Sequence, residues 1–280
     1  MMKRSCRSLK NLRKPKPGSE TLYYITNPWL IFGDLEIEKA FSFFGQYAYA
    51  GAIEKIEEIQ KNMSNPIIHL QLEYAEMLAC AYKEWDAFNF NHAAKNMSDL
   101  VKILDRDSSN TGYLLMDFRE PLKQQAEILE KLKKIQSSIK NRNYEAILSE
   151  KEAYTALMFT MYQCACIREQ QEKYDMSTLL FYRLLEMIIQ KRLYCYHLLA
   201  SDMNYENMDI HPEQIPEWKD LGRQDCISRL KDNFSDIKKR VFQMDGACLP
   251  EKSGLLDGLI ILTMIMRFQF LMCLTRSRNM

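Results

Sequence analysis

Glycine and proline are scarce in this sequence, at 9 and 8 of 280 residues. Sheet proteins spend both on hairpins and tight turns, so the shortage argues against a strand-rich fold and for helix. No G-x-G-x-x-G, G-x-x-x-x-G-K-[ST] or G-x-S-x-G occurs. That removes the signatures of dinucleotide-binding folds, P-loop NTPases and the nucleophile elbow of α/β-hydrolases. The four histidines (His69, His92, His197 and His211) fall in no H-x-x-x-H or HExxH pattern. Of the eight cysteines only Cys164 and Cys166 stand close, and C-x-C lacks the paired spacing of a zinc site. No metal and no cofactor is expected. A net charge of +1 sets up no global field that would recruit nucleic acid or a membrane surface, and DNA is not expected as a partner.

The charge that is present is uneven. Lys3, Arg4, Arg7, Lys10, Arg13, Lys14 and Lys16 crowd one stretch with no acidic residue among them. No apolar segment follows, so this is not a secretory signal. It reads as a flexible basic tail, with an RNA-contacting arm as the alternative. Without an export signal the cysteines read as reduced thiols, mostly core filler, and the expected location is the cytoplasm.

Along the chain, "KPKPGSE" is a breaker-rich linker and "TLYYITNP" carries the one strand signal. From Asp34 onwards the pattern is helical. Leu70, Tyr74, Met77 and Ala81 recur at steps of four, three and four. Met97, Leu100 and Leu104 continue the period, as do Leu122, Leu129, Leu132 and Ile139. Leu230, Phe234, Ile237, Val241 and Met244 draw the cleanest apolar face. An internal echo links "FFGQYAYAGAIEKI" (43–56) and "WDAFNFNHAAKNM" (85–97), with "EKYDMSTLLFYRLLE" (172–186) as a looser copy. Aromatics precede a turn, and small residues such as Ala52 and Ala93 then let two helices approach. Stacked helical hairpins are the expectation. The charged segment 127–145 reads as a solvated helix with a turn at 141–143, separating a first helical block from a second.

Three stretches could carry function. On 174–193, Arg183, Glu186 and Gln190 form a polar stripe along an otherwise apolar helix. It is either solvated, with an Arg–Glu pair worth under about 1 kcal/mol, or it faces a cleft and holds other side chains in place. Residues 258–275 are almost wholly apolar, but Arg267 and Gln269 sit near the middle, where lipid would penalise a charge. A buried bundle helix or a dimer-interface helix is preferred to a membrane span. The third is the sequence "RSRNM", whose arginines suit the negative end of a helix dipole.

Taken together, "FGQYAYAGAIEKI", "WDAFNFNHAAKNM", "KYDMSTLLFYRLLEMIIQKRL" and a closing Arg-Asn after an apolar helix resemble the CRISPR-associated CARF–HEPN proteins, accessory proteins similar to the ribonucleases of type III systems. The resemblance runs over roughly residues 20–280. It implies a mainly α fold with at most a short N-terminal strand. Residues 1–20 would be a basic tail, 21–33 a strand or linker left from a CARF sensor, 34–145 a helical connector, and 146–280 a HEPN-like domain incomplete at its C-terminus. It further implies a homodimer acting on single-stranded RNA through a shared R-x(4–6)-H motif. Arg278 would be the motif arginine and Asn279 its usual follower, with the histidine falling beyond Met280. Cyclic oligoadenylate, the ligand of the family's sensor, is not expected to bind this chain, since residues before 34 are too few for that domain and its glycine-rich signature is missing.

The missing histidine bears on chemistry. Metal-independent RNA cleavage needs proton transfer at the attacking 2′-OH and the leaving 5′-oxygen, and a cation on the phosphoryl oxygens. Arginine supplies a fixed fork for phosphate and cannot move the proton; histidine can. General acid–base catalysis is worth about 10²–10⁴-fold. Residues 1–280 are therefore expected to be inactive as they stand. The alternative is a non-catalytic, all-helical, dimerising scaffold that binds RNA or a protein.

Overall fold

A computed structural model describes residues 28–63, 65–107, 115–208 and 221–276, with side chains over 33–265 of those ranges. The described residues form ten α-helices: α1 (Pro28–Gly45), α2 (Tyr49–Asn62), α3 (Pro66–Asp86), α4 (Phe90–Arg106), α5 (Arg119–Lys140), α6 (Tyr144–Ser149), α7 (Lys151–Gln170), α8 (Tyr174–Tyr194), α9 (Arg223–Phe242) and α10 (Leu255–Arg276). No strand occurs among them; Leu199 and Asp202 make one isolated bridge. Residues 21–27 of the expected strand lie outside the described residues. Residues 28–33, expected to be strand or linker, are instead the opening of α1. Proline suits a first helical position because its missing N–H would have had no partner there.

Four helix-to-helix corners share one backbone solution. Tyr47, Phe88, Arg142 and Glu172 adopt φ of 59°, 56°, 54° and 60°. Around each, the next N–H reaches back five residues: Ala48 to Phe43, Asn89 to Glu84, Asn143 to Ser138 and Lys173 to Arg168, at 2.8–2.9 Å. This is the Schellman closure, which satisfies carbonyls that a helix end leaves open. An aromatic residue then opens the following helix (Tyr49, Phe90, Tyr144 or Tyr174), and the residue three further on is buried: Ala52, Ala93, Ile147 or Ser177. The echo in the sequence is thus a repeated corner. The fourth copy, "NRNY", lacks the aromatic that precedes the turn in the first two, so its sequence does not show the likeness.

Helices α1 to α5 pack in chain order, each on the next; α5 then packs on α7, α7 on α8, and both α8 and α9 on α10. The apolar periods end up inside. Tyr74, Ala81, Met97, Leu100, Leu104, Leu122, Leu129 and Leu132 share one cluster with Tyr154 of α7 and Met187 of α8. The turn at 141–143 changes chain direction while this cluster runs on past it. α5 is not simply solvated: Leu129, Leu132 and Ile135 are fully enclosed, and only its other faces meet water. Buried Gln136 of the same helix accepts from the N–H of Phe90 at 2.7 Å, capping α4 from outside where Asn89 makes no side-chain cap. α3 is capped locally: Asn65 accepts from the N–H groups of Ile67 and Ile68 ahead of Pro66.

A second cluster joins α8, α9 and α10 through Ile189, Leu193, Leu230, Phe234, Ile261 and Ile265. Here α10 comes so close to α8 that a Cβ on Gly258 would stand 2.5 Å from Ile189 Cγ2. The stripe on α9 is only half used. Leu230 and Phe234 are buried, but Val241 and Met244 are exposed. The core stops where Lys238 reaches across to Asp257 of α10 at 2.5 Å, its ammonium lying over the Phe234 and Phe242 rings. Among the described residues no helix is long and apolar enough to cross a membrane. The cysteines divide more than their expected role as filler: Cys164 and Cys226 are buried, while Cys195 and Cys248 are exposed.

Candidate functional site

Arg278 and Asn279 lie outside the described residues; α10 carries the backbone to Arg276. The three residues of the α8 stripe are all described. Arg183 donates to Glu186 at 2.6 Å, one turn along the helix, with the two side chains 43% and 21% exposed. Such a pair is worth under about 1 kcal/mol. Gln190 follows one turn later and is half-buried.

The stripe stands beside a denser set of contacts. Tyr154 of α7 is buried, donates its hydroxyl to the Met187 carbonyl at 2.9 Å, and has its ionisation pushed upward chiefly by that burial. Lys191, on α8, donates to the Leu148 carbonyl of α6 and sits 5.6 and 5.5 Å from the centres of the Tyr154 and Tyr194 rings. A cation over aromatic faces and on a helix-end carbonyl ties α6, α7 and α8 together.

Next to the stripe, α7 and α8 leave apolar side chains uncovered. Leu179, Tyr182, Leu185 and Ile188 follow one another at three-residue steps and are 43–69% exposed. Phe159 and Tyr162 of α7 are exposed as well, and Tyr162 meets Phe181 edge-on with ring centres 6.0 Å apart. Isolated exposed apolar residues are ordinary; a contiguous group on two neighbouring helices is the mark of an interaction surface.

A groove of about 810 Å³ runs along α7, walled also by the α1–α2 corner, the end of α3, and α5, with the exposed Phe159 on its lining. Tyr49, Tyr82 and Trp85 form a column of near-parallel rings, with centre separations of 5.7 and 6.2 Å and interplanar angles of 16° and 6°. The column is pinned at two points: the Tyr82 hydroxyl donates to Gln125 of α5 at 2.7 Å, and the Trp85 indole donates to Thr160 of α7 at 3.2 Å. Burial pushes the Tyr82 hydroxyl upward, and pushes the Cys164 thiol up to about 12 with a further push from the nearby Asp86 carboxylate. Asp86 receives Arg168 on Oδ2 at 2.5 Å, whereas its Oδ1 is buried with no hydrogen-bond partner. At the far end, Lys131 pairs with Glu152 at 3.0 Å beside Lys151. Sequence reasoning missed this groove. Its traces were the aromatic density of "FFGQYAY" and "AYKEWD" and a row at four-residue steps on α7: Thr155, Phe159, Gln163 and Ile167. Among the described residues no group of three or more His, Cys, Asp or Glu could hold a metal ion.

Two family models match the chain. The Csm6 6H domain covers residues 32–135, and the Csm6 HEPN domain covers residues 146–276, stopping before Arg278. No individual curated protein matches it. Ten helices in this order, carrying those two matches over most of the length, define a CRISPR-associated protein of HEPN type. More particularly, the chain belongs to the Csm6-like CARF–HEPN family.

Proposed function

We propose that this protein acts on single-stranded RNA in the cytoplasm as a homodimer related to metal-independent endoribonucleases, with Arg278 holding a phosphate and Asn279 beside it. The observation that carries the reading is the HEPN match over residues 146–276, with Arg278-Asn279 one residue beyond its end. Pairing is supported by the exposed row Leu179, Tyr182, Leu185 and Ile188, which a second copy would cover.

The deciding experiment compares two proteins on labelled single-stranded RNA in EDTA. Residues 1–280 should bind without cleaving. The same chain, extended to place a histidine at R-x(4–6)-H spacing from Arg278, should cleave, and Arg278→Ala should abolish the cleavage. An extended protein that stays inactive, or one whose cleavage survives Arg278→Ala, defeats the nuclease reading. In that event the exposed α7–α8 row favours the second reading, a non-catalytic dimerising scaffold.

A further inference from the structure

Among the described residues, one ridge of α7 is left without a helix over it. Thr155, Phe159, Gln163 and Ile167 stand at four-residue steps along the groove, and Phe159 is 65% exposed. Rows of that spacing are what one helix sets into the grooves of another. The facing walls are apolar and held in place. Phe44 and Tyr47 come from the end of α1 and its corner, Tyr82 from α3, and Ile128 from α5. Tyr82 and Trp85 have their polar tips occupied by Gln125 and Thr160, so what they offer the groove is ring surface.

Dimensions and charge narrow the class of occupant. The α7 wall runs from Lys151 to Ile167, about 24 Å at 1.5 Å per residue, or about four turns of helix. A small molecule held at the bottom would leave Phe159 in water, whereas a helix lying along the groove covers it. The aromatic part is fixed by the bonds of Thr160 to Trp85 and of Arg168 to Asp86. Lys131 and Lys151 line the opposite end. Of the lining carboxylates, Asp86 is neutralised by Arg168 and Glu152 by Lys131, which leaves Lys151 as the surplus charge of the lining. α7 also begins at Lys151 with no side-chain cap, so the positive end of its dipole lies there too.

We propose that the groove along α7 docks an acidic amphipathic helix of a partner protein, its apolar face on Phe159, Tyr82 and Ile128 and its carboxylates at Lys131 and Lys151. In this mode of recognition, anchors at i, i+3, i+4 and i+7 fill an apolar groove, and charges at the rim set register and exclude the wrong partners. Neither α8 nor α10 lines the groove. The surface is therefore distinct from the α8 row assigned to pairing and from the helix that leads to Arg278.

The probe is a labelled peptide of about 16 residues, long enough to span the groove as a helix. It carries leucine and tryptophan on one face and glutamates in its last turns. One control replaces every glutamate with lysine, and a second scrambles the order so that no apolar face remains. Fluorescence anisotropy with the 280-residue protein should show saturable binding of the glutamate peptide, at least about fivefold tighter than the lysine peptide, and none of the scrambled one. Phe159→Glu should weaken binding by about tenfold or more. Its thermal midpoint should hold, since the side chain it replaces is exposed. Lys151→Glu should close the gap between the two charged peptides. Light scattering should show the same oligomeric state for Phe159→Glu as for the parent; a dimer lost at Phe159 would give this face to a second copy and overturn the proposal. It is overturned equally if the glutamate peptide does not saturate, if the lysine or scrambled peptide binds as well, or if Phe159→Glu changes nothing. Single-stranded oligouridine that saturates the groove in place of the peptide has the same consequence. No cleavage enters the measurement, so its outcome is separate from that of the nuclease reading.

Discussion

Helices α3–α5 and helices α7–α8 are similar in length, yet they use their apolar residues differently. In α3–α5 the periodic positions close on one another: Leu100, Leu104, Leu129 and Leu132 are wholly enclosed. In α7–α8 the apolar residues surround the helix. One side meets the first cluster through Tyr154 and Met187, another meets the second through Ile189 and Leu193, and Leu179, Tyr182, Leu185 and Ile188, winding half-way round α8, are left to solvent. A helix with one apolar face is finished by its own chain; one with apolar residues all round is finished by additional layers. α8 has two such layers within the chain and room for another outside it.

Substitutions can break this contrast in order of size. Leu129→Ala, at the centre of the first cluster, should destabilise the protein by about 2–5 kcal/mol in denaturant melts; a loss under about 1 kcal/mol would mean that the cluster is loosely packed. Gly258→Ala strikes the α8–α10 contact. Although alanine is the better helix former, its Cβ would collide with Ile189, and a net loss of about 1–3 kcal/mol is expected. The opposite sign applies at a corner. Exposed Glu172 holds a positive φ, so Glu172→Gly should relieve strain and stabilise by up to about 1 kcal/mol, measured as a rise in thermal midpoint.

Leu185→Glu sharpens the comparison instead of breaking it. Folding stability should move by no more than about 0.5 kcal/mol, while light scattering should show a dimer reduced to a monomer. If the parent protein is already monomeric, the proposed pairing through α8 fails. The smallest effect concerns α1 and α2. Lys39, at 2.6 Å, and Lys55 hold the Glu36 carboxyl below its usual range. A folded value below the unfolded one means that this stabilisation is complete above the ordinary glutamate range and fades as pH falls through the lowered value. Glu36→Gln should therefore melt slightly below the parent at neutral pH, with the gap closing in acid; a gap that persists in acid would exclude the ion pairs as its cause.

Much of the fold was legible in order along the chain. The steps from Tyr74 to Leu132 mark enclosed faces, and Ala52 and Ala93, read from the sequence as points of close approach, are fully buried. The α9 stripe misled at Val241 and Met244, because a period states which face is apolar and not where the covering helix stops. Of the candidate site, the sequence showed the Arg183–Glu186 pair, which needs only one helical turn. It did not show Gln136 capping α4 across 46 residues, or Arg168 meeting Asp86 across 82.

The helical class, the corners at Tyr47, Phe88 and Glu172, and the apolar faces of α3–α5 follow from the sequence by itself, since each rests on hydrogen bonds or periods spanning a few residues. Only the tertiary structure decided that the rings of α2 and α3 stack, that Arg168 of α7 pairs with Asp86 of α3, and that α8 retains uncovered apolar residues. Those features depend on which helices meet and how closely, and a local pattern carries no distance between residues that are far apart in the chain.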